Sequence, residues 1–476
     1  MKKLISTLLI VVVMFTFVAF ALTSCGGAPV AADFVMPEGG FDTESPITIT
    51  FYHSMGKDLQ DVLNDSISDF NEKYPNITVE HKSYGSYDGV LSQVKTELTV
   101  GDHPNLAYGY ADHVAVYNIS GATQTLDVFI NDSTYGFTAE ELDNFVKGTL
   151  DEGKAFGDGK TYLLPIAKST EVLYYNKDFF EKHNLSVPTT WEEMEAVCRQ
   201  IKAIESGCIP LGYDSESNWF ITMAEQYKSS YTDGTAENPF TFDNEANRAF
   251  VETFRTWYQD KLVTTEQLAG GYTSSLFTGT AESGTRCYMC IGSSGGAKYQ
   301  KPGATTIENP DGTATTTYDF EVGIAPIPQV DKANPKVISQ GPNVCIFKDN
   351  DPQKVLATWL FAKHLATDDI FQASVSMSNG YVPVIKSVQQ NEVYADFLAA
   401  VDENPTANIE AYAVKVALEQ TNTMFVSDAF YGSAVAREQV GMLIQKCLAY
   451  EGADVKAAIK SAFEAAVAEC KYQTRR

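Results

Sequence analysis

Gly292-Ser293-Ser294-Gly295-Gly296 follows the strand-like run Arg286 to Ile291 and satisfies Gly-x-Ser-x-Gly, a pattern that can lift a nucleophilic serine onto a strand-to-helix turn. Such a serine needs an acid and then a histidine further along the chain. Only His364 lies downstream, inside the helical run FAKHLA, where packing or solvent contact is the commoner role. A secreted esterase built on Ser294 is therefore the weaker reading. Cys287 and Cys290 are spaced Cys-x-x-Cys, yet positions i and i+3 of a strand point to opposite faces, and no second cysteine or histidine pair completes a zinc set. A glycosidase needs two facing carboxylates, and with 61 acidic residues such pairs are uninformative. The chain carries no zinc-protease motif, P-loop or dinucleotide fingerprint, so no metal and no cofactor is expected.

The elements that must hold these residues begin after a leader. Lys2 and Lys3 precede an apolar run from Leu4 to Leu22 with no acidic residue, as in a secretory signal over residues 1–24. Leu22-Thr23-Ser24-Cys25 matches a bacterial lipobox, which would leave Cys25 amino-terminal and lipid-bearing. Residues 25–45, rich in glycine and proline, read as a flexible tether reaching on the order of 25 Å. The formal charge of −26 disfavours nucleic acid and anionic lipid as partners. Apart from Cys25, seven scattered cysteines remain, an odd number that suits buried thiols better than a disulfide framework.

From Ile47 onward, alternating strands (ITITFYH, Ile77 to Tyr84, Leu106 to Tyr110) interleave with amphipathic helices (Leu59 to Phe70, Tyr87 to Val100). That alternation predicts a parallel α/β sheet, whose ligands sit beyond the carboxyl ends of the strands. Tyr52, His53, Ser54 and Asp112 are candidate site residues on topology alone. The alternation restarts after GKTYLLPIAKSTEVLYYNKDFF (Gly159 to Phe180), where Pro165 interrupts the first strand and Asn176 is placed to cap a helix. Trp191 to Ile201 is a second strong helix, Ile209 to Tyr213 a strand, and Gly303 to Thr317 a hairpin or exposed loop. The carboxyl-terminal region from Glu410 is mainly helical.

The central stretch resembles the first interlobe crossing of the family 1 extracellular solute-binding proteins, the capture subunits of sugar-importing ABC transporters. FYHSM, FNEKYPNITVE, the Gly341-Pro342 crossing and SNGYVP (Ser378 to Pro383) occur in the same order. The resemblance implies a two-lobed periplasmic-binding-protein fold with three crossings, near Pro165, Gly341 and Gly380. The first lobe would take 46–165 and 340–385, the second 166–339 and 386–476. It also implies a monomer that captures a carbohydrate and presents it to ABC permease subunits.

Within that family the pattern is most similar to the glycerol-3-phosphate-binding branch. It implies ligand contacts from Tyr87, Ser169, Trp219, Ser293 or Ser294, Gly341 and Tyr381. Two departures stand out: Ala111 replaces a ligand-binding glutamate, with Asp112 next to it, and Phe430 falls where the branch carries a phosphate-clamping arginine. Losing a charge-assisted contact while gaining a stacking face favours a neutral sugar over glycerol-3-phosphate or a glycerophosphodiester. Arg437 lies seven residues on, in a helical run.

Overall fold

A computed structural model describes residues 30–475; the leader and Cys25 lie outside them. Two sheets organise the chain. The first contains β1 (Ile47–His53), β2 (Ile77–Ser83), β3 (Leu106–Gly109), β4 (Leu164–Pro165) and, much later in the sequence, β13 (Asn343–Ile346), in the order β2-β1-β3-β13-β4. Strands β1 to β3 are parallel, as the alternation requires, but β13 runs antiparallel to β3 and β4 antiparallel to β13. The sheet is mixed rather than parallel, because two of its strands are supplied by the crossings. Pro165 sits in the edge strand, where its missing N–H leaves no ladder bond unmade.

The second sheet follows β14-β12-β5-β8-β6-β7, with β11 also on β5. Here β5 is Ser169–Asn176, β6 Leu211–Tyr213, β7 Val263–Thr265, β8 Met289–Ser293, β11 Val322–Pro326, β12 Val337–Gln340 and β14 Met424–Phe425. Local chemistry starts its helices. Asn176 Oδ1 accepts from Phe179 N at 2.8 Å, and Thr190 with Glu193 forms a reciprocal capping box at the head of Trp191–Ile204. The polar insertion is a hairpin of β9 (Ala304–Glu308) and β10 (Ala314–Tyr318), paired only with itself.

Each sheet has its own core. Phe51, Phe70, Trp359 and Phe361 pack the first lobe; Trp191, Trp219, Phe254 and Trp257 pack the second. The seven cysteines in the described region are free and buried. Cys287 precedes β8 and only Cys290 is in it, so the pair does not share a strand.

The chain passes from β4 to β5 through Ile166–Lys168 and returns from β12 to β13 through Gly341-Pro342. Gly341 has φ +118°, and a Cβ there would lie 2.4 Å from the Ala167 carbonyl oxygen, so the two crossings touch backbone to backbone only because the residue is glycine. Lys168, buried at this junction, pairs with Glu152 and donates to Asn343 Oδ1 at 2.9 Å, while Asn343 Nδ2 donates to Glu152 Oε1 at 3.2 Å. A buried lysine is thereby fully paired at the hinge.

Two expectations are corrected. Residues 34–45 are docked on the first lobe rather than loose: Phe34 N donates to Gln124 Oε1 at 3.1 Å, the Phe34 ring lies 4.5 Å from Phe129, and Phe41 N donates to the Tyr135 hydroxyl at 2.8 Å. Phe34 and Phe41 have apolar partners, which glycine and proline content alone conceals. The last crossing is also not complete at 385. Val382 exchanges backbone bonds with Lys168, but Val384, Ile385, Val388 and Tyr394 remain in the first lobe's core. Helix Ile409–Glu419 then packs Ile409, Ala413 and Val416 against Val172 and Tyr174 of β5. A transfer made by helices carries no glycine-proline signature.

Candidate functional site

Between the lobes lies a cleft of about 1470 Å³ at the carboxyl ends of both sheets. From the first lobe it receives Tyr87, opening helix Tyr87–Leu98, and Tyr110 and Asp112, which follow β3. Tyr87 and Tyr110 stack with ring centroids 4.3 Å apart. Tyr381 comes from the last crossing and passes over Gly295, where a Cβ would meet its ring at 2.7 Å. Burial pushes the phenols of Tyr87, Tyr110 and Tyr381 up, so all three stay neutral hydrogen-bonding groups.

The second lobe contributes charge. Glu171 in β5, Asp214 after β6, Glu216 in the helix Glu216–Gln226 and Glu266 after β7 all line the cleft. Glu171 Oε2 accepts from the Tyr213 hydroxyl at 2.7 Å, yet full burial pushes its carboxyl up to about 7. Asp214 Oδ1 accepts from Thr273 N at 2.7 Å and Thr273 Oγ1 at 2.6 Å, and desolvation raises its carboxyl too. Asn218 Nδ2 donates to Gln340 Oε1 at 2.7 Å, while its Oδ1 accepts from Arg437 of helix Ser433–Leu448. Seven acidic side chains line the cleft against two basic ones, Lys95 and Arg437.

Of the residues expected at the site, Tyr87, Asp112, Ser169, Ser293, Gly341 and Tyr381 line this cleft. The others do not. Trp219 has 0% exposure and is stacked between Tyr213, at 4.9 Å, and Phe254, at 4.0 Å, so it is core. His53 is buried against β2: Met55 N donates to its Nδ1 at 3.1 Å and its Nε2 bonds His81 Nδ1 at 2.9 Å, with burial pushing it down to about 3. Tyr52 lies on the opposite side of β1, its ring 4.8 Å from Tyr84 and its hydroxyl on Glu97 Oε1 at 3.2 Å. Both follow from strand alternation, which turns β1 side chains into the sheet's faces rather than past its end. Ser54 is likewise absent from the cleft lining. Ser294 is fully buried, with Oγ accepting from Thr170 N at 3.3 Å, whereas its neighbour Ser293 is the exposed member of the pair. His364 bonds Ser66 in the first lobe at 3.2 Å and so does not serve Ser294.

Phe430 is the most consequential correction. Its ring packs on Phe240, at 6.0 Å, and against Gly234, outside the cleft lining. The cation that lines the cleft from this part of the chain is Arg437, on the helix that also presents Val435, Glu438 and Met442. In one sequence nothing marks Arg437 beyond its helix face, which it shares with Ala434 and Gly441. Asp214, by contrast, directly follows β6, so the strand-end rule that points to Asp112 points to it too, whereas Glu266 follows β7, a three-residue strand with no alternation to reveal it.

A family model described as "Bacterial extracellular solute-binding protein" matches residues 65–406, and the chain belongs to that family. Its members are extracytoplasmic by definition of the family. A putative binding protein of Brucella abortus is 28% identical over 167 residues, 35% of this chain and 38% of that protein. The sn-glycerol-3-phosphate-binding periplasmic protein UgpB of Salmonella typhimurium is 28% identical over 171 residues, again 35% and 38%. The chain therefore matches well under half the length of these curated relatives. Among solved structures, UgpB of Mycobacterium tuberculosis in complex with glycerophosphocholine superposes with a TM-score of 0.69 at 19% identity, covering 91% of this chain and 100% of that one. Maltose-bound MalE3 of T. maritima gives 0.66 at 16%, covering 90% and 100%. The architecture is thus the two-lobed α/β fold of such binding proteins.

Proposed function

We propose that the chain captures a carbohydrate, a sugar or oligosaccharide, between its lobes and delivers it to an ABC importer, without catalysing a reaction. The observation that carries this reading is the cleft wall, where the tyrosines 87, 110 and 381 offer ring faces beside acceptors such as Asp112 and hydroxyls such as Ser169. Rings cover the C–H faces of a sugar and polar groups take its hydroxyls. Solved relatives that bind maltose support the same ligand class. Cys25 would hold the chain to the membrane by lipid; Cys25→Ala should then leave the membrane fraction, and a variant that stays bound would refute the anchor.

A second reading is favoured by Arg437, a cation in the cleft, together with the UgpB relatives, whose names give glycerol-3-phosphate. The acidic majority around Arg437 and its bond to Asn218 weigh against a phosphate dianion. Calorimetry should show heat with members of a sugar and oligosaccharide panel and little with sn-glycerol-3-phosphate. Tight binding of the phosphate with no response to any sugar would overturn the carbohydrate reading in favour of the second.

A further inference from the structure

One end of the second lobe's wall gathers more carboxyl groups than the capture of hydroxyls calls for. Asp214, Glu216 and Glu266 line the cleft together. Glu216 Oε1 accepts from Gln267 N at 3.0 Å and Asp214 is held by Thr273. The charges acting on Glu266 are those of Asp214 and Glu216, both negative, and with desolvation as the largest cause they push its carboxyl up to about 7. Arg437 acts instead on Glu171 and is bonded to Asn218. Among the described residues no three acidic side chains converge closely enough to hold a metal ion.

A second observation points into the same place. Gln300, only 3% exposed, lines the cleft; its Nε2 donates toward Asp214 Oδ2 at 3.4 Å, and its Oε1 takes no hydrogen bond. A buried amide oxygen without a donor destabilises the protein unless something supplies the donor. At the mouth stand Tyr272 and Tyr299, 65% and 63% exposed, with Asp214, Glu266 and Tyr299 all acting on the Tyr272 phenol. Ring faces and carboxylates at one spot are the chemistry of cation recognition. A sugar hydroxyl both donates and accepts, whereas a protonated amine only donates and brings the missing positive charge.

We propose that this end of the cleft is a subsite for a protonated primary amine carried by the ligand, so that the solute is an amino sugar held by Asp214, Glu216, Glu266 and Gln300 beside Tyr272 and Tyr299. The inference rests on the carbohydrate reading of the cleft. A quaternary ammonium could use the rings but has no N–H for Gln300 Oε1, and is the poorer match.

The test is calorimetry at pH 7, where Glu266 is half ionised before the ligand arrives, on the mature chain with matched pairs: glucosamine and glucose, galactosamine and galactose, and the β-1,4 dimers of glucosamine and of glucose, with choline as a further arm. At least one amine should bind ten-fold or more tighter than its neutral partner. The preference should shrink as sodium chloride rises and disappear in Glu216→Gln/Glu266→Gln, whose melting curve reports that it folds; Glu266→Gln alone serves if it does not. Neutral sugars that bind as well as their amines would overturn the amine subsite and leave the carbohydrate reading intact. So would a preference that survives in the variant, or choline binding as tightly as the best amine. Binding of sn-glycerol-3-phosphate with no response to any sugar would sink both.

Discussion

The wall that the first lobe gives to the cleft carries a stacked pair of rings, Tyr87 on Tyr110, with Asp112 in the same lining. The second lobe's wall holds most of the carboxyl groups, Glu171, Asp214, Glu216 and Glu266, with Arg437 among them and Tyr272 and Tyr299 at its exposed edge. Both walls stand at strand ends, so the sheets explain where they are but not why they differ. The difference lies in what backs each wall. Behind Tyr87 and Tyr110 lies Tyr108, within 6.3 Å of Tyr87, so the first wall is a stack resting on a stack. Behind Glu171 and Asp214 lie hydroxyls and amides, Tyr213, Thr273 and Asn218, which hold charge in place. One wall offers area and the other offers direction: a ligand is covered by the first lobe and oriented by the second.

The largest effect that separates backing from wall is expected at Trp219. Trp219→Ala removes a fully buried ring between Tyr213 and Phe254 and should cost about 3 to 5 kcal/mol of stability in denaturant unfolding. A variant of normal stability with reduced affinity would restore Trp219 to the wall.

The next concerns Glu171. Its folded carboxyl titrates near 7 against an ordinary 4.5, raised mainly by desolvation. A raised acid stabilises the fold fully below its unfolded pKa, and that contribution is lost as pH rises from about 4.5 through 7. Glu171→Gln cannot ionise and keeps an acceptor for Tyr213. Its stability relative to the unmodified chain should therefore climb across that window by on the order of 3 kcal/mol and level off above it. A difference that does not change with pH in thermal melts would mean that Glu171 is solvated better than its position implies.

The smallest is at the first wall. Tyr110→Ala removes one face of the Tyr87 stack and should weaken ligand binding by about 0.5 to 1.5 kcal/mol in calorimetry, without the loss expected of a core aromatic. A fall as large as that from Trp219→Ala, in stability rather than affinity, would mean that the ring is structural.

How far the sequence could be read follows the same division. The alternation of strands with helices, the caps at Asn176 and Thr190 and the crossing at Gly341 are local chemistry, and they were legible. Asp112 was legible from its place after a strand, whereas Tyr87, Ser169, Ser293, Gly341 and Tyr381 were named only by the family resemblance, and the cleft they line is where that resemblance puts them. Trp219 and His53 were not, since a large aromatic or a histidine next to a strand end reads the same whether it faces a cleft or a core, and only packing decides. Phe430 and Arg437 exchanged roles because a seven-residue offset between a loop and a helix face leaves no trace in one chain. The docking of residues 34–45 was hidden for a related reason: Phe34 and Phe41 have partners, Phe129 and Tyr135, about ninety residues away.

One ligand shared by two unlike walls requires the lobes to approach each other when it binds. Small-angle scattering of the mature chain with and without a saturating sugar identified by calorimetry tests this directly. The loaded protein should show the smaller radius of gyration. An unchanged radius with binding established would contradict it, and would mean that a single lobe holds the ligand in a cleft that does not close.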